Sequence, residues 1–299
     1  MLSYVVAVLA FVLLYNPITQ LLSPAQPQIR RTPRPQVNET LLALEDTTDQ
    51  TLLQQCPGDS YTVHIFSKAP LVVYIEKFLS PGERAHLLGI SEPVFEPSTI
   101  TNDGGAETHR DQTIRDSEVG FIPRSDEVRC IEARARAFQG WRDELWIERL
   151  RTQRYRPGGH YSHHFDWSSS WGGWGRVSSF MVWVDASTAD NDDGGLVGGG
   201  TAFPLLKRPS LDERWCRFVE CDKVVTGDDS HAQDATAAAP EQDASRGVVF
   251  KPLAGNAVFW ENFRPDGTGR GWEETWHAGL PVIRGIKVGL NIWTWGRVD

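Results

Sequence analysis

The sequence lacks a basic excess. Across 299 residues, 30 Lys and Arg stand against 39 Asp and Glu, a formal net charge of −9. No basic patch with interleaved aromatic residues occurs. Non-specific nucleic-acid binding needs a positive surface, so nucleic acid is not an expected partner. The chain also has no internal repeat. Cysteine is sparse: Cys56, Cys130, Cys216 and Cys221 are the whole complement. None has two further ligands nearby at suitable spacing, which argues against a structural zinc. Four cysteines allow three complete pairings, and spacing does not choose among them. Cys216 and Cys221 flank a short segment and could close a local disulfide in an oxidising compartment; the alternative is buried free thiols.

What is present begins with an apolar run, Tyr4 to Leu14, continued through Ile18 to Leu22. A helix on the surface of a globular core would carry polar residues along one face, and none occurs before Asn16. The length fits a secretory signal or a short signal anchor, with Ser23 to Ala25 as a small-residue cleavage site. Arg30, Arg31 and Arg34 follow the run, a bias that by itself favours a cytoplasmic C-terminal part. The sequon Asn38-Glu39-Thr40 points the other way. The expectation is residues 1–22 as a signal anchor or signal peptide, 23–58 as a Pro-, Gln- and Thr-rich stalk, and 59–299 as the main folded domain. The domain is placed on the lumenal side of the endoplasmic reticulum membrane, or outside the cell after cleavage.

Hydrophobic content is 40% and charged content 23%, ordinary for a globular domain with a sizeable core. A short helix is expected near Leu41 to Leu44 and a strand at Leu71 to Ile75. Ser80, Pro81 and Glu83 form the start of a helix: N-cap, proline at the first helical position and capping-box glutamate. Asp126 to Phe138 places Val128, Ile131, Ala135 and Phe138 on one helical face. After Trp146 the pattern changes to short strands with Gly and Pro punctuation, at Glu148–Tyr155, Phe180–Val184, Ala257–Trp260 and Lys287–Trp295. This is an α+β, mainly β pattern that suits a double-stranded β-helix, a jelly roll or cupin-like barrel, with N-terminal supporting helices. Residues 222–246 are poor in large apolar side chains and read as a disordered insert.

Three side chains carry the chemistry. His164 and Asp166 form a His-x-Asp pair, and His277 follows after a long gap. Strand alternation places His164 and Asp166 on one side and Phe165 on the other. Two imidazoles and a carboxylate on one face of an iron ion leave the opposite face open, the facial triad of non-haem Fe(II) oxygenases. A bare His-x-Asp is common by chance; taken separately, these are a surface or core histidine and a turn aspartate. Lys287 begins an alternating strand and shares a face with Gly289, Asn291 and Trp293, opposite Val288, Leu290 and Ile292. Alone it reads as a solvated charge, but on that face it reads as the lining of a cavity, able to hold a carboxylate. The tryptophan-rich loop Trp167 to Trp174 could form a lid or pack on the barrel rim.

The ordered blocks resemble the prolyl 4-hydroxylase α-subunit family of Fe(II)/2-oxoglutarate dioxygenases. The matching stretches are Tyr155–Trp167, Arg176–Val184, Gly198–Pro204, Lys251–Trp260, His277–Val282 and Gly285–Lys287. The resemblance implies Fe(2+) held by His164, Asp166 and His277, with Lys287 on the distal carboxylate of 2-oxoglutarate. It implies help from the hydroxyls of Tyr155 and Thr201, and Arg176 and Trp293 near a proline-containing peptide or protein substrate. It implies O2 as co-reactant, L-ascorbate as the reductant that rescues oxidised iron, and oligomers or a disulfide-isomerase-type partner. His160 and Gly200 depart from the family, which usually has Gln and Glu there; both departures bear on substrate recognition. The alternatives are hydroxylation of another residue or a small molecule, and a catalytically silent barrel acting as a binding protein. The intact triad with Lys287 counts against the silent barrel.

Overall fold

The computed structural model describes residues 4, 39–44, 56–101, 108–140, 142–167, 173–187, 195–208, 213–221 and 246–298. The architecture that follows is that of the unit Arg34–Asp299. The apolar N-terminal run apart from Tyr4, the insert up to residue 245 and the loop 168–172 lie outside the described residues. No helix among the described residues is long and apolar enough to cross a membrane.

Two helices form where the capping signals place them. Helix α1, Pro81–Ser91, is opened by the Ser80 N-cap, with Glu83 completing the capping box. Helix α2, Asp126–Phe138, is capped by Ser125 and buries Val128, Ile131 and Ala135. Eight strands position the site: β1 Leu71–Glu76, β2 Arg151–Tyr155, β3 His160–His164, β4 Trp174–Ser187, β5 Thr201–Lys207, β6 Ala257–Glu261, β7 His277–Gly279 and β8 Ile286–Arg297. Among the described residues, the larger antiparallel sheet has nine strands, with the central order β1, β6, β4, β8, β2. The smaller has five, in the order Arg246–Phe250, β5, β7, β3, Arg115–Asp116.

Alternation along the larger sheet builds two cores. Val73, Ile75, Phe180, Val182, Phe259, Leu290 and Ile292 face α1 and α2, packing with Leu87 and Ile131. Val72, Tyr74, Met181, Trp183, Val258 and Trp260 face the smaller sheet and pack on Phe203 and Phe250. Two antiparallel sheets facing each other in this way form the jelly roll, with the helices as outer support. Cys56–Cys130 and Cys216–Cys221 are disulfides, so one of the three open pairings is selected. The first ties the start of the domain to α2.

Three local expectations change. The strand expected over Glu148–Tyr155 is interrupted: Trp146–Ile147 pairs with β8, Glu148 N–H still donates to the Trp293 carbonyl at 2.9 Å, and the ladder resumes at Arg151. Between them Arg149 N–H donates to the Leu41 carbonyl at 2.7 Å, so the backbone changes partner. Leu41 to Leu44 is not a helix. A single 3₁₀ turn, Glu39–Leu41, leads into a bridge between Leu42 and Glu148. Leu42 and Ala43 are buried, and Leu42 packs with Trp174 and Trp295, so this part of the expected stalk packs as domain. Finally, Asp166 does not sit on the strand with His164. β3 ends at His164 and Asp166 lies in the turn that follows, because the chain leaves the sheet there.

Candidate active site

The turn after β3 is held from both sides. The Trp167 indole N–H donates to Thr275 Oγ1 at 3.0 Å, and Phe165 packs on Trp167 and Trp276. Phe165 thus anchors away from the site while Asp166 is turned in and buried. On the neighbouring strand, His277 is paired in register with His164. Strand register and turn together bring the three side chains to one point: one ligand atom from each lies within 4.8 Å of the others.

The donor set fits a divalent transition metal. The Nδ1 atom of His164 is 2.8 Å from the Ser162 carbonyl, and that of His277 is 2.9 Å from the Thr275 carbonyl. A carbonyl only accepts, so Nδ1–H donates in both rings and the Nε2 lone pairs are left for a metal. Those Nε2 atoms point to Asp166, at 3.7 Å from Oδ1 and 3.9 Å from Oδ2. Burial, followed by the nearby His277, pushes His164 down to about 3, so its imidazole is neutral at physiological pH. Burial works to raise the Asp166 carboxyl, but His277, His164 and Arg176 outweigh it and keep it ionised. Two imidazoles and one carboxylate form a donor set that suits iron(II).

Lys287 sits in the same cavity, which is lined by Gln153, Tyr155, Tyr161, His164, Asp166 and Thr201 among others. It is 1% exposed, and its ammonium donates to the Gly199 carbonyl at 2.8 Å and lies 4.4 Å from the Tyr155 ring centroid. Burial alone pushes it down to about 7; no charged neighbour offsets that. A buried lysine with no acidic partner among the described residues is a ready receptor for a ligand carboxylate. The alternation expected on β8 is present: Val288, Leu290 and Ile292 enter the helix-side core, while Lys287 and Asn291 line the cavity. Thr201, on β5, closes the other wall. A larger cavity, about 660 Å³, lies elsewhere, around Phe138, Phe259 and Arg264, and holds none of these groups.

Arg176 and Trp293 are brought together at one side of the site: the guanidinium lies 4.1 Å from the Trp293 ring centroid. Arg176 is held by Glu148, which sequence reasoning misses. Glu148 accepts from Arg176 Nε at 2.5 Å, Arg151 Nη2 at 3.0 Å and the Trp295 indole N–H at 2.6 Å. Its buried position between strands has no sequence signature. Arg115 is missed as well; it lies over the Tyr161 ring at 4.6 Å. The two departures differ in consequence. His160 is on the rim, its ring nitrogens 3.1 Å from the Gly158 and Thr113 carbonyls. Gly200 is a close approach: a Cβ there would stand 2.5 Å from Val249 Cγ1, so a longer side chain requires the neighbouring strand to shift.

Residues 150–295 match the family model of the 2OG-Fe(II) oxygenase superfamily. A probable prolyl 4-hydroxylase 3 of Arabidopsis thaliana is 25% identical over 248 residues, covering 79% of this chain and 72% of the relative. Prolyl 4-hydroxylase 5 of the same plant is 25% identical, covering 77% and 70%. Among solved structures, a viral collagen prolyl hydroxylase of Paramecium Bursaria Chlorella virus-1, in its 2OG complex, aligns with a TM-score of 0.47. That alignment has 23% identity and covers 81% of this chain and 98% of the viral one.

Proposed function

We propose that this chain, whose residues 150–295 belong to the 2OG-Fe(II) oxygenase superfamily, hydroxylates proline in peptides. The observation that carries the reading is the convergence of His164, Asp166 and His277 beside a buried Lys287 that has no ion-pair partner among the described residues. The likeness to prolyl 4-hydroxylases over more than two thirds of their length favours proline as the residue modified.

In this reading the two Nε2 atoms and the Asp166 carboxylate hold Fe(2+). Iron with 2-oxoglutarate and O2 supplies the oxidising power, one oxygen atom entering the peptide and the other leaving in succinate, with release of CO2. The Nδ1–H bonds to the Ser162 and Thr275 carbonyls fix the ring orientations before metal arrives. Lys287 takes the distal carboxylate, and the Tyr155 ring beside it holds the ammonium in place. Thr201 stands on the opposite wall as a hydroxyl donor. Arg176 stacked on Trp293, and fixed by Glu148, presents a flat cationic surface to a peptide. Ascorbate would be the reductant for iron held at this site. The two disulfides favour an oxidising compartment, lumenal or extracellular, as the place of work.

The test is incubation of the full chain with Fe(II), 2-oxoglutarate and a proline-rich peptide. Succinate release with a mass gain of one oxygen atom on proline is expected. Succinate without a gain on proline points to another substrate, and no succinate under any condition overturns the enzymatic reading.

A further inference from the structure

The cavity contains a buried donor that neither the triad nor Lys287 accounts for. Gln153 lies on β2, two residues before Tyr155, and is 2% exposed. Its Oε1 accepts from the Tyr155 hydroxyl at 2.8 Å. Its Nε2 has no hydrogen-bond partner among the described residues. An amide nitrogen carries two N–H donors, and leaving both unmet in a buried site costs stability.

Register shows what the donor faces. Tyr155 is paired with Lys287 and Gln153 with Gly289. Gln153 and Lys287 are therefore diagonal neighbours on the inner face of two adjacent strands, positions that stand roughly 7–8 Å apart. Two long side chains at that spacing can converge on one carboxylate in the cavity that both line. Gly289, paired with Gln153, carries no side chain of its own, and the Met181 methyl packs against it, 2.4 Å from where a Cβ would stand. Lys287 spends one of its donors on the Gly199 carbonyl, leaving the rest for the same ligand.

We propose that Gln153 is a second donor to the distal carboxylate of the 2-oxo dicarboxylate cosubstrate, its amide N–H taking one oxygen while the Lys287 ammonium takes the other. The inference rests on the 2-oxoglutarate reading above. It also gives the Tyr155 hydroxyl a different role. By donating to Oε1, that hydroxyl turns the amide so that Nε2 faces the cavity. Tyr155 is then a positioning residue.

Binding, not turnover, tests this. The full chain loaded with Mn(II) in place of iron is titrated with 2-oxoglutarate by calorimetry, and separately with 2-oxobutyrate, which lacks the distal carboxylate. Gln153→Leu is expected to weaken 2-oxoglutarate about tenfold to a hundredfold, the value of a hydrogen bond to a charged group, and to leave 2-oxobutyrate unchanged. Gln153→Glu is expected to weaken 2-oxoglutarate further, by setting like charges together. Gln153→Met is the substitute if the leucine variant does not fold. A 2-oxoglutarate affinity within twofold of the unmodified chain overturns the proposal and leaves the oxygenase reading standing. Equal weakening of both ligands also overturns it, since the residue then only shapes the cavity. An unmodified chain that binds no 2-oxoglutarate overturns both.

Discussion

Glu148 Oε1 stands 2.5 Å from Arg176 Nε, in a position where the carboxylate is 2% exposed and the same oxygen also accepts from Trp295. One buried carboxylate thus fixes the guanidinium that lies over Trp293. Glu148→Gln keeps the shape and removes the charge. The expected result is a KM for the peptide raised about tenfold, with cosubstrate affinity unchanged, because Arg176 loses its charge-assisted partner. Steady-state kinetics with each substrate varied in turn separates the two effects.

His277→Ala removes one of three converging ligand atoms while leaving β7 paired with β3 and β5. Metal content measured after Fe(II) loading and desalting is expected to fall from about one ion per chain toward zero. Peptide hydroxylation is lost with it, and the circular dichroism spectrum is retained.

Lys287→Met trades function for stability. A lysine held down to about 7 by burial costs the folded chain up to about 5 kcal/mol at pH 7 or below. Without cosubstrate, the variant is expected to melt several degrees higher than the unmodified chain. With saturating 2-oxoglutarate and Mn(II) the order reverses, since only the lysine gains a carboxylate. Differential scanning calorimetry in both conditions checks the crossover.

The same lysine sets two pH dependences. Its folded value is depressed, so between about 7 and its ordinary value near 10.5 the unfolded chain binds more protons than the folded one. The Lys287 contribution to stability therefore improves as pH rises through that window. Cosubstrate binding runs the opposite way, because the carboxylate requires the ammonium. The 2-oxoglutarate dissociation constant is expected to rise about tenfold per pH unit above 7. Titrations at several pH values should lose that slope in Lys287→Met.

Leu42 is 4% exposed and packs with Trp174 and Trp295. Leu42→Ala is expected to cost about 2–3 kcal/mol of stability, in line with a large-to-small change in a core. Chemical denaturation measures it. A stalk residue would show no loss.

Much of the fold follows from local signals. Ser80, Pro81 and Glu83 specify the start of α1 because a capping box satisfies backbone groups locally, without help from the rest of the chain. The alternation of β8 separates Val288, Leu290 and Ile292 from Lys287 in the sequence, and the structure keeps the same division. Sequence reasoning fails where a residue's role is set by distant partners. Alternation from His164 assigns Asp166 to the same strand, yet β3 ends at His164. Glu148 reads as ordinary strand, while its carboxylate organises Arg176, Arg151 and Trp295 from three separate segments. Gln153 does carry a signal: it sits two residues before Tyr155, on the same face of an alternating strand.

By itself the sequence determined the types and order of the chemical groups: two histidines, an aspartate and a lysine, all of them within the residues that match the 2OG-Fe(II) oxygenase family model. Those are properties of the chain and of short-range periodicity. Tertiary structure decided that His164 and His277 meet in register, and that both rings turn their Nε2 atoms to Asp166. It also decided that, among the described residues, Lys287 is buried without a counter-charge and the Gln153 amide nitrogen has no partner. The reason is physical: burial, desolvation and hydrogen-bond satisfaction depend on what the other strands bring to the same point, and those strands come from far along the chain.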